Sequence, residues 1–268
     1  MDDRAKKTLI VGGLGKTGRR VAQRLHARSV PVRLGSRSTA PAFDWNDEAT
    51  WAEALDGVRA AYVTYHPDLA VPGAAEQVRR FSNVAVRSGV EQLVLLTGRG
   101  EPRVLPAERA VIESGARYTI LRCAFFAQNF SEGAFAPVSD EIVFPQVPAT
   151  EPFVDVDDIA DVAVEALTSR RHDGGIYDLT GPRLMSFEDV ARDLSRATGR
   201  NIRYVPVTFE AYAEALAPYL PPEQVGFFIG LFRELFDGHN SHLSHDVERV
   251  LGRKARDFSN FAENARAA

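Results

Sequence analysis

A single cysteine, Cys123, serves the whole 268-residue chain. It excludes an internal disulfide and any cysteine-built metal cluster. Its place at the end of an apolar run predicts a core thiol. Lysine is nearly as scarce: Lys6, Lys7, Lys16 and Lys254 are the whole supply, and the remaining basic residues are arginines. An excess of positive charge is missing as well. The net charge is −4, so no basic field points to a nucleic-acid partner. No apolar run approaches the length of a membrane span, and no membrane partner is expected. Met1 to Lys7 is polar and charged, so no secretory signal is expected and the cytoplasm is the expected compartment. Internal repeats and low-complexity segments are absent too.

What is present begins with Thr8-Leu9-Ile10-Val11-Gly12-Gly13-Leu14-Gly15-Lys16-Thr17-Gly18. A strand-like run enters a glycine cluster, and Val21, Ala22 and Leu25 follow at helical spacing. This order suits a dinucleotide. Glycines let the backbone turn tightly and approach a pyrophosphate, and the next helix offers free N–H groups and its positive dipole end. Two spacings fit: Gly13, Gly15 and Gly18 as G-x-G-x-x-G, and Gly12, Gly15 and Gly18 as G-x-x-G-x-x-G. The Gly15-Lys16-Thr17 triplet imitates a triphosphate-binding loop. That loop requires a glycine where Ile10 stands, in mid-strand, so the reading is rejected.

From residue 8 to 121, strands alternate with amphipathic helices. Strands are expected at 8–11, 30–34, 42–44, 59–64, 92–96 and 118–122. Helices are expected at 16–27, 47–55, 72–87 and 105–113. The implied class is α/β: a Rossmann-type, doubly wound parallel sheet with helices on both faces. Residues 125–150 lose any clean period and read as crossover and loop. After them come a helix at 154–167, a strand at 176–179 and a helix to residue 198 opened by Ser186 and Asp189 as a capping box. A strand at 203–207, helices at 209–217 and 223–236, and one or two tail helices complete a small α/β lobe. The expected division is 1–130 plus 151–180 for the cofactor domain and 131–150 plus 181–268 for the substrate-side lobe.

At the end of the second strand, an NAD-preferring site carries an acid for the ribose hydroxyls. Here the stretch reads Arg33-Leu34-Gly35-Ser36-Arg37, with no acid. Arg37 can pair a 2′-phosphate through its planar fork and Ser36 can add a hydrogen bond, which favours NADP(H) over NAD(H). Asp44 and Trp45 are expected near the adenine, with plain packing the alternative for Trp45. In such sheets the carboxyl ends of the strands carry the site. Those ends hold Thr64, Tyr65 and His66; Thr97, Gly98 and Arg99; and Phe125 and Phe126, with Asn129 and Phe130 behind. Thr64, Tyr65, Thr97, Gly98 and Arg99 are expected at the cofactor. Tyr65, Phe125, Phe126 and Phe130 are expected to wall a flat apolar pocket for a small-molecule substrate, with His66 and Asn129 as polar contacts. His239, His242, His245 and Asp246 recur at three-residue steps, but Gly238 and Asn240 mark a loop, and no metal is expected. Phe227, Phe228, Leu231, Phe232 and Phe236 form an apolar helix stripe expected in the core.

These motifs together resemble the NmrA-like family of atypical short-chain dehydrogenases, near its quinone-oxidoreductase and ergot-alkaloid-reductase branches. The likeness runs through Val11 to Gly18, the Gly35–Arg37 corner, Phe43-Asp44-Trp45, and Leu95 to Glu101. It continues through Tyr118 to Arg122, Phe126 to Phe130, and Phe153 to Ala160. The resemblance implies a Rossmann domain, a small C-terminal lobe and a cleft between them. It covers most of residues 8–180.

The departures bear on mechanism. Ordinary short-chain dehydrogenases pass a proton with Tyr-x-x-x-Lys, and no tyrosine here is followed by lysine four places on. Relatives often carry a lysine just before the helix that holds Glu108; Arg103 stands there, and arginine does not give up a proton at neutral pH. The proton must come from solvent, substrate, or a side chain such as Tyr65 or His66. Two functions stay open. One is reduction of a quinone, activated alkene or imine by NADPH. The other is a non-catalytic NADP(H) sensor acting through a protein partner.

Overall fold

In the computed structural model, which describes residues 6–133 and 135–266, the alternating pattern becomes eight strands and ten α-helices. The strands are β1 (Lys7–Val11), β2 (Val32–Gly35), β3 (Val58–Val63), β4 (Gln92–Gly98), β5 (Arg117–Cys123), β6 (Glu141–Pro145), β7 (Gly175–Leu179) and β8 (Arg203–Val207). The helices are α1 (Lys16–Ala27), α2 (Ala49–Leu55), α3 (Ala74–Arg87), α4 (Leu105–Ile112), α5 (Val156–Thr168), α6 (Phe187–Thr198), α7 (Phe209–Leu216), α8 (Pro222–Leu235), α9 (Asp246–Leu251) and α10 (Phe258–Arg266). None of the described helices is long and apolar enough to cross a membrane.

The chain divides into two units. The first holds the residues up to Cys123, Val156–Leu179 and Asp246–Arg253. The second holds Ala124–Asp155, Thr180–His245 and the residues from Lys254. The first division therefore falls seven residues earlier than residue 130, and a short C-terminal segment belongs to the sheet-bearing unit.

In the first unit six strands pair in parallel in the order β2-β1-β3-β4-β5-β7. Leu9, Ile10 and Val11 are almost wholly buried, as a strand covered on both faces requires. The chain runs from β1 out to β2, then passes back over β1 to β3. The winding reverses between β1 and β3, which places a crevice at their carboxyl ends. Helices α1 and α5 pack together, tied by Arg24, whose Nη2 and Nε lie 2.6 Å from Asp157 and Asp161. Arg253 reaches the fully buried Asp158 at 2.7 Å, which fastens the returning C-terminal segment.

One expected strand, 42–44, does not form. Only an isolated Asp44–Asp47 bridge remains there. Ser36 O accepts the Phe43 N–H at 2.9 Å and the Thr39 hydroxyl at 2.8 Å, so a turn uses the backbone groups that a ladder would need.

The second unit has its own sheet, β6 paired in parallel with β8. Strand β6 falls in the stretch read as loop. Its signal was there: Ile142 and Phe144 are buried while Val143 between them is 41% exposed, a period of two. Pro145 at its end and Asp140 before it obscured it. Around β6 lies an aromatic core, with Phe144 stacked on Phe187 at 4.5 Å and Phe130 edge-on to Phe153 at 5.3 Å. Phe232 of α8 and Phe236 just after it join this core and the half-buried Phe228 packs against it, whereas Leu231 is buried outside that cluster and Phe227 stays half-exposed. Helix α6 starts with the expected capping box of Ser186 and Asp189.

Arg183 ties this core to α10. Its Nε and Nη2 reach the Asp257 carboxylate at 2.7 and 3.0 Å, and Nη2 also meets Asp193. The Arg183 fork, helped by the Ser259 N–H, holds the Asp257 carboxyl down to about 2. A carboxyl lowered below its ordinary 3.8 stabilises the fold above that pH, and the gain fades as pH falls toward 2. Because the pair is partly exposed, Asp257→Asn is expected to cost about 1 kcal/mol near neutral pH. Denaturant titrations should show the two proteins converging as the pH drops below 4, toward Asp257's own pKa of about 2. A gap that stays constant through that range would refute the role given to Asp257.

Candidate functional site

The crevice of the first unit starts at the glycine turn. Gly12 has φ +72°, a region side chains disfavour, and a Cβ there would lie 2.2 Å from Thr64 Oγ1. A Cβ on Gly18 would lie 2.2 Å from the Gly12 carbonyl oxygen. Gly15 is exposed, precedes α1, and a Cβ there would meet only Gly12 O at 3.2 Å. Turn, open approach and close packing thus fall on Gly12, Gly15 and Gly18, which selects the G-x-x-G-x-x-G reading. Gly13 is buried against Leu34, and Leu14 is 54% exposed beside the turn. No side chain caps the first turn of α1 and no acid lies in it, so Lys16, Thr17 and Gly18 open a helix start of positive potential.

Two ties fix this turn. The N–H groups of Gly12 and Gly13 donate to Gly35 O at 2.9 and 3.2 Å, so the end of β2 is bonded directly to it. Just past β3, the Thr64 hydroxyl donates to Val11 O at 2.9 Å.

The corner after β2 separates its two arginines. Arg33 turns back to the end of α2, where its Nη1 donates to the carbonyls of Glu53, Ala54 and Asp56 at 2.7–3.0 Å. Arg37 is exposed and, among the described residues, takes no hydrogen-bond or ion-pair partner. Ser36 Oγ lies beside it, 3.2 Å from Ser38 Oγ. The result is one unspent guanidinium and two hydroxyls next to the glycine turn.

Other expected cofactor residues are otherwise engaged. Trp45 is a packing residue: it is 7% exposed, its indole N–H donates to Thr64 O at 3.1 Å, and it sits edge-on to Phe43 and Phe81. Asp44 Oδ1 accepts the Asn46 N–H at 3.0 Å, and its carbonyl accepts the Trp51 indole at 2.8 Å. Arg99 is 3% exposed, and its Nε lies 3.6 Å from the Asp178 carboxylate. The Thr97 hydroxyl donates to the buried Glu108 at 2.9 Å, and Arg122 clamps the same carboxylate at 2.6 Å. Gly98 leaves room for the Glu101 carboxylate, which a Cβ would overlap.

The expected substrate residues fall in both units. In the first, the Tyr65 hydroxyl donates to Gln77 Oε1 and its ring lies 5.0 Å from Trp45, while His66 is exposed. Burial pushes the Tyr65 phenol up, which keeps it protonated. Asp68, which the sequence reading passed over, is mostly withdrawn from solvent. That burial raises its carboxyl, against the Ala70 N–H at 2.7 Å and the Arg103 charge. Its only sequence signal was its position just past a strand end. In the second unit, Phe125, Phe126 and Asn129 are half-buried, and the Phe125 N–H donates to Glu151 Oε1 at 3.1 Å. Phe130 is 2% exposed within the aromatic core, so it braces the segment instead of walling a pocket.

The histidine series shows no common centre. His239 Nδ1 lies 2.5 Å from Asp237, and Asp246 accepts the Asp178 N–H at 2.8 Å. Among the described residues no group of three or more His, Cys, Asp or Glu side chains is arranged to hold a metal.

A reversed winding with an uncapped glycine turn at its crevice defines a Rossmann-type dinucleotide-binding protein. Comparison with known proteins narrows this. The chain is 32% identical over 278 residues to an agroclavine dehydrogenase of Claviceps fusiformis, covering 96% of each chain. It is 30% identical to an NAD(P)H azoreductase of Xenophilus azovorans, covering 97% of this chain and 98% of that one. Its fold matches that of an NADPH-dependent quinone oxidoreductase from Escherichia coli, solved with NADPH, at a TM-score of 0.80 and 19% identity over 96% and 99% of the two chains. No family model matches the sequence. The chain belongs to the NmrA-like atypical short-chain dehydrogenases/reductases, alongside the ergot-alkaloid dehydrogenases and azoreductase.

A Cβ at Gly15 would press on Gly12 O alone, at 3.2 Å, so Gly15→Asp is expected to fold with a modestly lowered melting temperature. It should lose dinucleotide binding, because a carboxylate then stands against the pyrophosphate. Calorimetric titration checks this, and native affinity in the folded variant would remove the turn from the site.

Proposed function

We propose that this protein is an NADPH-dependent reductase of a small, flat, largely apolar acceptor such as a quinone, an activated alkene or an imine. The observation that carries the cofactor choice is Arg37, exposed and unpartnered beside the glycine turn. The relatives carry the reaction class: an agroclavine dehydrogenase, a festuclavine dehydrogenase and an NAD(P)H azoreductase at 30–32% identity over nearly the whole chain. The cytoplasm is the compartment that fits such a cofactor.

When bound, the reduced nicotinamide supplies the hydride. The chain's own residues bind and orient. The N–H groups of the first turn of α1 receive the pyrophosphate, and Arg37 with Ser36 receives the 2′-phosphate. Tyr65 and His66 in the first unit, and separately Phe125, Phe126 and Asn129 in the second, are proposed as acceptor contacts. With no Tyr-x-x-x-Lys pair, the chain suits acceptors that take hydride with little acid assistance. The proposed turnover is tested by following NADPH oxidation against a panel of quinones, enones and imines. Binding without oxidation of any of them would favour the sensor reading.

Removing the guanidinium isolates the cofactor assignment. A charge-assisted bond of this kind is worth about 1.5–3 kcal/mol. Arg37→Ala is therefore expected to weaken NADPH by roughly tenfold to a hundredfold. NADH should be almost unaffected, and raised salt should shrink the wild-type preference. Titration of both cofactors decides it. Equal losses would mean that Arg37 only stacks on the adenine.

A further inference from the structure

The turn after β4 folds a carboxylate back onto the strand it leaves. Strand β4 ends at Gly98. A Cβ there would lie 2.9 Å from Glu101 Oε2 and would overlap Oε1 and Cδ outright. The Glu101 carboxylate thus fills the space that any side chain at residue 98 would take. Gly100, at φ +72°, turns the chain between them. The turn is held on both sides: the Arg99 N–H donates to Cys123 O at 2.9 Å, and the Val104 N–H donates to Glu101 O at 3.2 Å. Glu101 itself is half-buried. The binding scheme above gives this acid no part.

The strand order says what the carboxylate would meet. Neighbouring strands run β2-β1-β3-β4. The corner proposed for the 2′-phosphate follows β2, and the helix start proposed for the pyrophosphate follows β1. A dinucleotide laid across these two has its adenosine on the β2 side. Its nicotinamide half then runs the other way, toward the ends of β3 and β4. NADP⁺ and NADPH carry the same phosphates and riboses. They differ in one positive charge on the nicotinamide ring. A carboxylate fixed on that side attracts the oxidised ring and offers the neutral one nothing comparable.

We propose that Glu101, seated on Gly98, discriminates between the two oxidation states of the cofactor and favours NADP⁺ relative to NADPH. The inference rests on the dinucleotide reading of the glycine turn. No covalent bond is made or broken, and the effect is one of binding alone. By linkage, a site that favours NADP⁺ makes bound NADPH a stronger hydride donor than free NADPH. The same bias makes NADP⁺ an inhibitor of turnover.

The test titrates NADP⁺ and NADPH into full-length wild type, Glu101→Gln and Gly98→Ala, with thermal melts to establish folding. Glu101→Gln keeps the shape and removes the charge. It is expected to weaken NADP⁺ by about two- to tenfold, the range of a partly exposed ion pair, and to leave NADPH almost unchanged. Raised salt should bring the wild-type ratio of the two affinities toward that of the variant. Gly98→Ala keeps the charge and displaces the carboxylate, so it should move the ratio the same way. A residue that only braces the turn would lower both affinities alike or neither. Equal losses or an unchanged ratio in Glu101→Gln would overturn the proposal, as would an unchanged ratio in a folded Gly98→Ala. Should Gly98→Ala not fold, Glu101→Gln decides alone. If wild type binds both forms and Glu101→Gln keeps their ratio, only this inference fails. If wild type binds neither, the dinucleotide reading fails and takes this one with it.

Discussion

The first unit depends on one close approach, that of the Gly12 carbonyl to Gly18. Any side chain at residue 18 would overlap that oxygen. The same oxygen accepts the Gly15 N–H at 2.9 Å, so a single carbonyl closes the turn and seats the start of α1 against it. Everything at the site is referred to this contact. Gly35 hangs from it through two N–H groups and brings Ser36 and Arg37 to a fixed place. Thr64, just past β3, holds it and in turn receives the Trp45 indole.

Behind the turn, Phe43, Trp45, Trp51 and Phe81 form an edge-to-face wedge. It carries the chain from the β2 corner over to α2 and α3, where no strand forms. Aromatic packing here replaces a backbone ladder. That is why the corner can present an unpaired arginine in a chain whose other arginines are largely spent on ion pairs and helix ends. The second unit is built on a similar economy of rings, with β6 threaded through them and α10 fastened by Arg183.

Local chemistry was legible in the sequence, and tertiary direction was not. The parallel sheet followed from alternating buried runs. The glycine turn followed from spacing, and the α6 start from Ser186 and Asp189, because each of these is decided within a few residues. Arg33 and Arg37 look alike in the chain. Only the α2 carbonyls, some twenty residues on, spend the first and leave the second free. Trp45 stands near a strand end where a cofactor would be met, yet its indole N–H is taken by Thr64 O and its rings by Phe43 and Phe81. Phe130 was indistinguishable from Phe126 by type, and its burial among Phe153, Phe187 and Phe258 was invisible before folding. Asp68 was silent for the same reason: burial, not sequence, makes it notable.

The account stands on the claim that the glycine turn and the corner bonded to it read one ligand, a dinucleotide with a 2′-phosphate. A crystal structure of the protein with NADPH tests this most directly. The account predicts the pyrophosphate over the first N–H groups of α1 and the 2′-phosphate within hydrogen-bonding distance of the Arg37 guanidinium. A cofactor bound elsewhere, or one whose 2′-phosphate lies in solvent with Arg37 turned away, would contradict it.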